Sequence, residues 1–279
     1  FFAKGEPPVI QDPAPLKTRA LCFSEFAVMH SGRSRTPLYV AERINRSTLS
    51  DGKDLERTNR FYADARLPRS ERAELDDYKG SGYDRGHMAP AANRYSPEGM
   101  AQSFSLANMV PQSQENNRKT WAGIEKSARK YASRAAGDVY IISGPVFAAQ
   151  PSTIGSNKVW VPKILYKLIY DPATNKAWAY WVENTDDAKA GKPITYQELV
   201  QRTGIRFLPT LNPAAVSGGA CTACAAGTFS TAGATECTPC AAGTSSGTTG
   251  ATSSATCTPC SAGTYAAAGA PGCTPCGAG

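Results

Sequence analysis

The placement of the cysteines constrains this chain most. Eight of the nine lie in the tail, positions 215–279, as Cys-x2-Cys pairs beginning at Cys221, Cys237, Cys257 and Cys273. The pairs are unevenly stepped, short then long then short, so one double unit runs twice. The first three pairs are each followed by Ala-Gly-Thr, at 226–228, 242–244 and 262–264. Self-similarity of this kind marks a linear array of small units. The segment holds one charged residue, Glu236, and its Gly, Ala, Ser and Thr bias excludes a conventional hydrophobic core. Positions 1–214 carry all 30 Lys and Arg against 22 of the 23 acids, a net of +8. That basic body is long enough to bury a sizeable core.

Two chemistries fit the tail. Cys-x2-Cys-x12-Cys-x2-Cys, at 221–240 and again at 257–276, has the spacing of a four-cysteine zinc site. Eight cysteines also suit four disulfides. Disulfides are favoured, because the tail has no His and no basic segment between the pairs. The repeat also resembles the extracellular Cys-rich repeats of ephrin-receptor-like and tumour-necrosis-factor-receptor-like modules. Clustered cysteines suit an oxidising compartment. The chain begins Phe1-Phe2-Ala3 without Met, so a removed signal segment and a secreted, periplasmic or extracellular location are expected, although a trimmed boundary would look the same. No run of about eighteen apolar residues exists that could form a membrane-spanning helix. The uncharged tail is poorly suited to nucleic acid, which leaves a surface or protein partner, or a resistant spacer.

Within the body, residues 1–20 carry four prolines and read as an extended arm. A domain over 21–214 follows, then a linker at 215–220 around Ser217-Gly218-Gly219, then the Cys-rich region 221–279. Strand patterns occupy Leu21 to Met29 and Pro37 to Arg43, with a turn at His30-Ser31-Gly32. Residues 45–82 are polar, and an irregular segment this long is often functional. Trp121, Ile124, Ala128 and Tyr131 give a helical stripe within Asn117 to Arg134. Val139 to Ser143 reads as a buried strand, Val159–Tyr170 with Lys176–Val182 as a hairpin, and Thr195 to Arg202 as a short helix. Strands grouped around a few helices, without βαβ alternation, predict an α+β domain with a largely antiparallel sheet.

Only two histidines exist, His30 and His87. His87 lies in Asp84-Arg85-Gly86-His87-Met88-Ala89-Pro90. Gly86 would let backbone approach a ligand closely, Arg85 offers a planar cationic fork suited to phosphate, and a His beside a phosphate clamp can take a proton from water. A turn with a structural Asp84–Arg85 pair is the bland alternative. Asn117, Trp121, Glu125 and Arg129 recur every four residues, which on a helix presents an amide oxygen, a core anchor, a carboxylate and a guanidinium. Hard Mg²⁺ prefers such oxygens and keeps several waters. An Asn N-cap with a Glu125–Arg129 surface pair would explain that spacing nearly as well.

Four stretches together carry a resemblance: Tyr83-Asp-Arg-Gly-His-Met-Ala-Pro90, Ala107-Asn108-Met-Val-Pro-Gln112, Asn117-x3-Trp121-x3-Glu125-x3-Arg129 and Ser143-Gly-Pro145. In order and spacing they resemble the DNA/RNA non-specific endonuclease family of ββα-metal nucleases, over roughly residues 20–210. The resemblance implies an α+β ββα-metal fold whose central, largely antiparallel sheet is flanked by helices. It also implies Mg²⁺-dependent cutting of DNA and RNA that leaves 5′-phosphate ends, with Mn²⁺ as an alternative ion. His87 would be the general base, Asn117 the one direct protein ligand of the metal, and Glu125 the holder of metal-bound waters. Arg85, Arg129 and an upstream Arg would bind phosphate. For that upstream position Arg57 is favoured over Arg60. Asp84, Gly86, Asn108 and Trp121 would support the site. The chain departs from the family in reading Asn116-Asn117-Arg118 where Asn-Gln is usual, so Asn116 is a rival to Asn117. The family includes monomers and dimers, which leaves a homodimer open.

The +8 body would attract a polyanion whatever its bases. A non-catalytic nucleic-acid-binding or surface-adhesion protein on the same fold is the alternative, although every candidate catalytic position holds a suitable residue. His30 reads as a structural turn residue. Cys22 reads as a buried free thiol, with a bond to another subunit as the sharper alternative.

Overall fold

The computed structural model describes residues 1–211, 213–215, 224–229, 237–251 and 253–276. Contacts divide the chain into two units, Phe1–Gly218 and Gly219–Gly279. That division falls inside the expected linker, whose residues 216–220 lie outside the described ones.

The first unit is built on one large sheet. In chain order the strands are β1 (Val9–Ile10), β2 (Thr18–Cys22), β3 (Phe26–Ser31), β4 (Thr36–Ile44), β5 (Asp84–His87), β6 (Met109–Gln112) and β7 (Val139–Val146). They continue with β8 (Thr153–Ile154), β9 (Val159–Trp160), β10 (Ile164–Asp171), β11 (Lys176–Glu183), β12 (Ile194–Thr195), β13 (Ile205–Arg206) and β14 (Ala214–Ala215). The large sheet runs β12-β11-β10-β7-β4-β3-β2, antiparallel at every step, with β14 pairing β11 in parallel. β5 and β6 form a separate antiparallel pair.

Both faces of the sheet are covered, and the period-2 alternation of strand side chains divides each strand between two cores. Val40 of β4 and Leu165 of β10 join Phe26, Val28, Met88, Trp121 and Ile124 on one face. Tyr39, Ala41, Tyr166 and Leu168 point to the other, where α5 (Tyr196–Thr203) contributes Leu199. β10 is therefore buried along its whole length. α5 starts where the Thr195 side chain accepts from the Glu198 N–H, and it ends at left-handed Gly204.

Several expectations change. Residues 1–20 are not a free arm: Ala3 is buried, Phe1 and Phe2 pack against the second core, and β1 pairs β13. The stretch Leu21–Met29 is two strands, because the chain turns at Phe23–Glu25, and the turn expected at His30 falls after Ser31. The hairpin begins at Ile164, with Val159–Trp160 pairing β8 instead. Residues 45–82 hold only short helices, including α1 (Arg46–Asp51) and α2 (Leu75–Tyr78), and this segment, which precedes α3 (Pro97–Ser103), delivers Arg57 and Phe61 to the site described below.

Among its described residues, the second unit has no comparable core. Its stability rests on disulfides Cys224–Cys237, Cys240–Cys257 and Cys260–Cys273. Each joins the second cysteine of one pair to the first of the next. The Ala-Gly-Thr motif explains the repeat. Gly227, Gly243 and Gly263 all take positive φ, near +80 to +88°, which glycine adopts without penalty. Their carbonyls accept from the amides of Cys240, Cys260 and Cys276 at 2.8–2.9 Å. The four-disulfide expectation is corrected, since Cys276 is a free, exposed thiol, and Cys221 lies outside the described residues. No group of three or more metal-ligating side chains occurs among the described residues, and the bonded sulfurs remove the zinc reading for the pairs concerned.

Candidate active site

β5, β6 and the helical segment after them carry the site. Across the pair, Asp84 faces Gln112, Arg85 faces Pro111, Gly86 faces Val110 and His87 faces Met109. Gly86 is required by packing: a Cβ there would lie 2.0 Å from Gln112 Oε1. Its close neighbour is thus protein and not the ligand that the sequence suggested. The Asn108 side chain braces the loop after His87. Its Oδ1 accepts from the Ala89 N–H, and its Nδ2 donates to Ala89 O and Ser103 O, each at 2.9 Å. Trp121 donates from Nε1 to His87 O at 3.2 Å and is fully buried.

The expected single helix has two parts. Asn116–Trp121 is a π-helical turn, and α4 (Ala122–Ala132) continues from it. π-Bulges often occur at functional sites. The wider turn separates the adjacent asparagines. Asn116 is fully buried and donates to Glu183 O, whereas Asn117 faces a cavity. Asn117 Nδ2 donates to Asp84 Oδ2 at 2.9 Å. Asp84 also takes two bonds from Arg118, at 2.8 and 2.9 Å, so the alternative of a structural Asp84–Arg85 pair does not hold. Arg85 instead lies over the Phe61 ring, 4.2 Å from its centroid.

That cavity, of about 360 Å³, is lined by Arg57, Asp84, Arg85, His87, Asn117 and Glu125, with Phe61 and Pro90–Ala92 at its sides. Arg60 is not part of its lining. Arg129 sits in the adjoining groove together with Arg57, and donates to Asn93 Oδ1 at 3.2 Å. A Glu125–Arg129 ion pair does not form among the described residues. Glu125 makes no hydrogen bond or ion pair among them, so its carboxylate oxygens are free toward the cavity.

His87 packs edge-on against Phe61 and Phe104, and its Nε2 is buried without a partner. Burial, assisted by Arg57 and Arg94, lowers its pKa to about 3, so the ring is neutral at pH 7. Burial raises Glu125 to about 7, although Lys167 and Arg129 oppose the shift. Asn117 Oδ1 and the Glu125 carboxylate are hard oxygens with no protein partner, and few in number. That donor set fits a hard divalent cation that keeps most of its waters.

Behind the cavity lies a buried charge network that sequence reasoning missed. Arg94, 1% exposed, pairs with Glu42 and bonds Glu25 O at 3.0 Å, while Asn93 donates to Glu42 Oε1 at 2.9 Å. This network holds the Pro90–Arg94 turn that forms one side of the cavity. Lys167 donates to Ser143 Oγ at 2.6 Å and lies 4.8 Å from the Trp121 ring centroid. A lysine inside the apolar run Ile164–Tyr170 was the available signal for it. His30 is buried inside β3 with both ring nitrogens unbonded, away from this cavity. Cys22 is exposed, which corrects the buried-thiol expectation, because β2 is the edge strand of the sheet.

The family model described as DNA/RNA non-specific endonuclease matches residues 7–214. The chain is 32% identical over 218 residues to the mitochondrial nuclease EXOG of Homo sapiens, covering 70% of this chain and 58% of that protein. It is 36% identical over 215 residues to the Xenopus laevis EXOG, covering 70% and 60%. A nuclease of Nostoc sp. is 32% identical over 207 residues, covering 68% and 73%. The chain thus spans about 60% of the length of these mitochondrial relatives. Among solved structures, an EndoG/EndoGI complex is similar with TM-score 0.64 and 26% identity, covering 69% of this chain and 86% of the other.

Proposed function

The chain belongs to the DNA/RNA non-specific endonuclease family, and from that premise we propose that it hydrolyses phosphodiester bonds of DNA and RNA with a bound Mg²⁺ and little sequence preference. One observation carries the reading: a neutral His87, an Asn117 amide oxygen, the Glu125 carboxylate and the guanidinium groups of Arg57 and Arg85 line one cavity.

When bound, the cation supplies charge neutralisation at the phosphate and at the leaving oxygen. Asn117 would hold it directly, with its amide oriented by Asp84. Glu125 would hold its waters and must be ionised to do so. Arg57, Arg85 and Arg129 would bind the phosphoryl oxygens. Phe61 fixes the Arg85 plane, and the Asn93 bond fixes Arg129. His87 accepts a proton from the attacking water. The new P–O bond forms as the P–O3′ bond breaks, and the leaving O3′ takes a proton from solvent water, which leaves a 5′-phosphate and a 3′-hydroxyl. The ring is available as a base because it is neutral, and an anionic phosphate in the cavity raises its proton affinity at the moment of need. Cations that meet phosphate oxygens carry no sequence information, which suits backbone recognition.

Plasmid DNA and RNA are digested with Mg²⁺, with EDTA and with His87→Ala. We expect cutting only by the wild type with metal, and a loss of about 10²- to 10⁴-fold in His87→Ala. Intact polymers with the wild type and Mg²⁺ would overturn the reading. The disulfides support an oxidising, secreted setting. A tail-specific role in surface or protein attachment is part of the same proposal, and deleting 219–279 tests it by loss of attachment with cutting retained.

A further inference from the structure

The catalytic cavity opens on two sides, and the two sides differ in charge. On one side a cavity of about 290 Å³ shares Asp84 and Arg85 with the site and adds Asp76 and Lys79, so its charges balance. On the other side a groove of about 570 Å³ shares Arg57, Ala91 and Ala92 with the site. Its cations are Lys53, Arg57, Lys126, Arg129 and Lys130, and no acid lines it. Lys53, Lys126 and Lys130 are exposed and make no ion pair among the described residues. Lys126 and Lys130 lie four residues apart on α4, so they share a helix face beside Arg129. Leu49, Leu55 and Met100 give the groove an apolar floor.

We propose that this groove is a second subsite, which holds the nucleotides flanking the cut phosphate on one side. The inference rests on the nuclease reading of the adjoining cavity, and three features favour a nucleotide chain as occupant. The groove is continuous with the site through Arg57. Phosphates repeat along a strand, and five cations line the groove. Sugars and bases between phosphates present apolar surface that the Leu49–Leu55–Met100 floor matches. Lys53, Lys126 and Lys130 bind phosphates and read no base, and the charge-balanced cavity on the opposite side contributes little.

The test measures binding in EDTA, so that nothing is cut. Fluorescence anisotropy compares a labelled single-stranded dodecanucleotide with a dinucleotide competitor, at several salt concentrations. The variant is Lys53→Ala/Lys126→Ala/Lys130→Ala, and the control is Lys158→Ala/Lys163→Ala/Lys176→Ala, which removes the same charge from exposed positions away from the groove. Each lost phosphate contact lowers the slope of log K against log salt by roughly 0.7 for a single strand. We expect the groove variant to bind the dodecanucleotide about tenfold more weakly, with a slope lower by about 2, and to lose most of the affinity gained with length. The control keeps that gain. Equal weakening in both variants, or an unchanged groove variant, overturns the proposal. If the wild type cuts nothing with Mg²⁺ yet the groove variant loses length-dependent binding, the nuclease reading fails and the subsite stands. Melting curves of both variants confirm folding.

Discussion

The two units of this chain solve the stability problem by different means. The first buries both faces of a large sheet and contains no disulfide among its described residues. The second buries few side chains and is cross-linked at sequence separations of 13 and 17. The difference follows from composition. β10 offers eight consecutive buried positions, whereas the tail offers Gly, Ala, Ser and Thr, which remove little apolar surface from water. A unit with a core can position a candidate site through packing, as Trp121 does for His87. A unit without one holds its shape by covalent closure of short loops.

The largest expected effect breaks the first unit and spares the second. Trp121→Ala removes a fully buried ring and its bond to His87 O, at a cost of about 3–5 kcal/mol. Urea denaturation followed by tryptophan fluorescence should show a lowered midpoint, while the tail disulfides stay oxidised by intact mass. An unchanged midpoint would mean that the ring is not the anchor described.

Reduction reverses the selectivity. Closing a loop of about 15 residues contributes roughly 3 kcal/mol, so Cys240→Ser/Cys257→Ser should disorder the tail by that amount. The first unit, whose one cysteine is the free Cys22, should melt as before. Differential scanning calorimetry with and without reductant reads both transitions. Loss of the main transition on reduction would refute the separation of the two units. Alkylation without reductant should label Cys22 and Cys276 and none of the six bonded cysteines.

The two units also differ in how much of them is legible in the sequence. Strands β7, β10 and β11 and helix α5 are legible, because local apolar patterning and an N-cap Thr dictate them. That Arg85, His87, Asn117 and Glu125 line one cavity is legible because they lie close together in sequence, around one ββα unit. The turn at Phe23–Glu25 and the packing of Phe1 and Phe2 are hidden, because each depends on partners far along the chain. The Glu42–Arg94 pair spans 52 positions, and nothing local marks either residue as buried. The π turn is hidden for another reason: a four-residue spacing looks the same in an α-helix. In the tail the repeat is evident, but pairing between successive units depends on which cysteines approach each other.

The smallest effect, and the sharpest, is in acid. His30 is buried with both nitrogens unbonded, and burial lowers its pKa to about 4. The carboxylates of Asp64 and Glu71 oppose that shift, and Arg19 adds to it. Below about pH 6.5 an unfolded chain protonates this ring, whereas the folded one stays neutral to about pH 4, so folding loses stability as pH falls through that window. At about 1.4 kcal/mol per pH unit, His30 alone costs about 2 kcal/mol at pH 5. His87 contributes in the same direction, because its folded pKa is also lowered. The only acid in the tail is Glu236, so that unit has no comparable liability. His30→Leu keeps a buried side chain of similar size without a titrating group. Between pH 7 and pH 5, urea-derived stability should therefore fall less in His30→Leu than in the wild type, by about 2 kcal/mol. If both lose stability equally on acidification, His30 is solvated or paired in solution, and the acid sensitivity of the first unit must come from His87 and the carboxylates around its site.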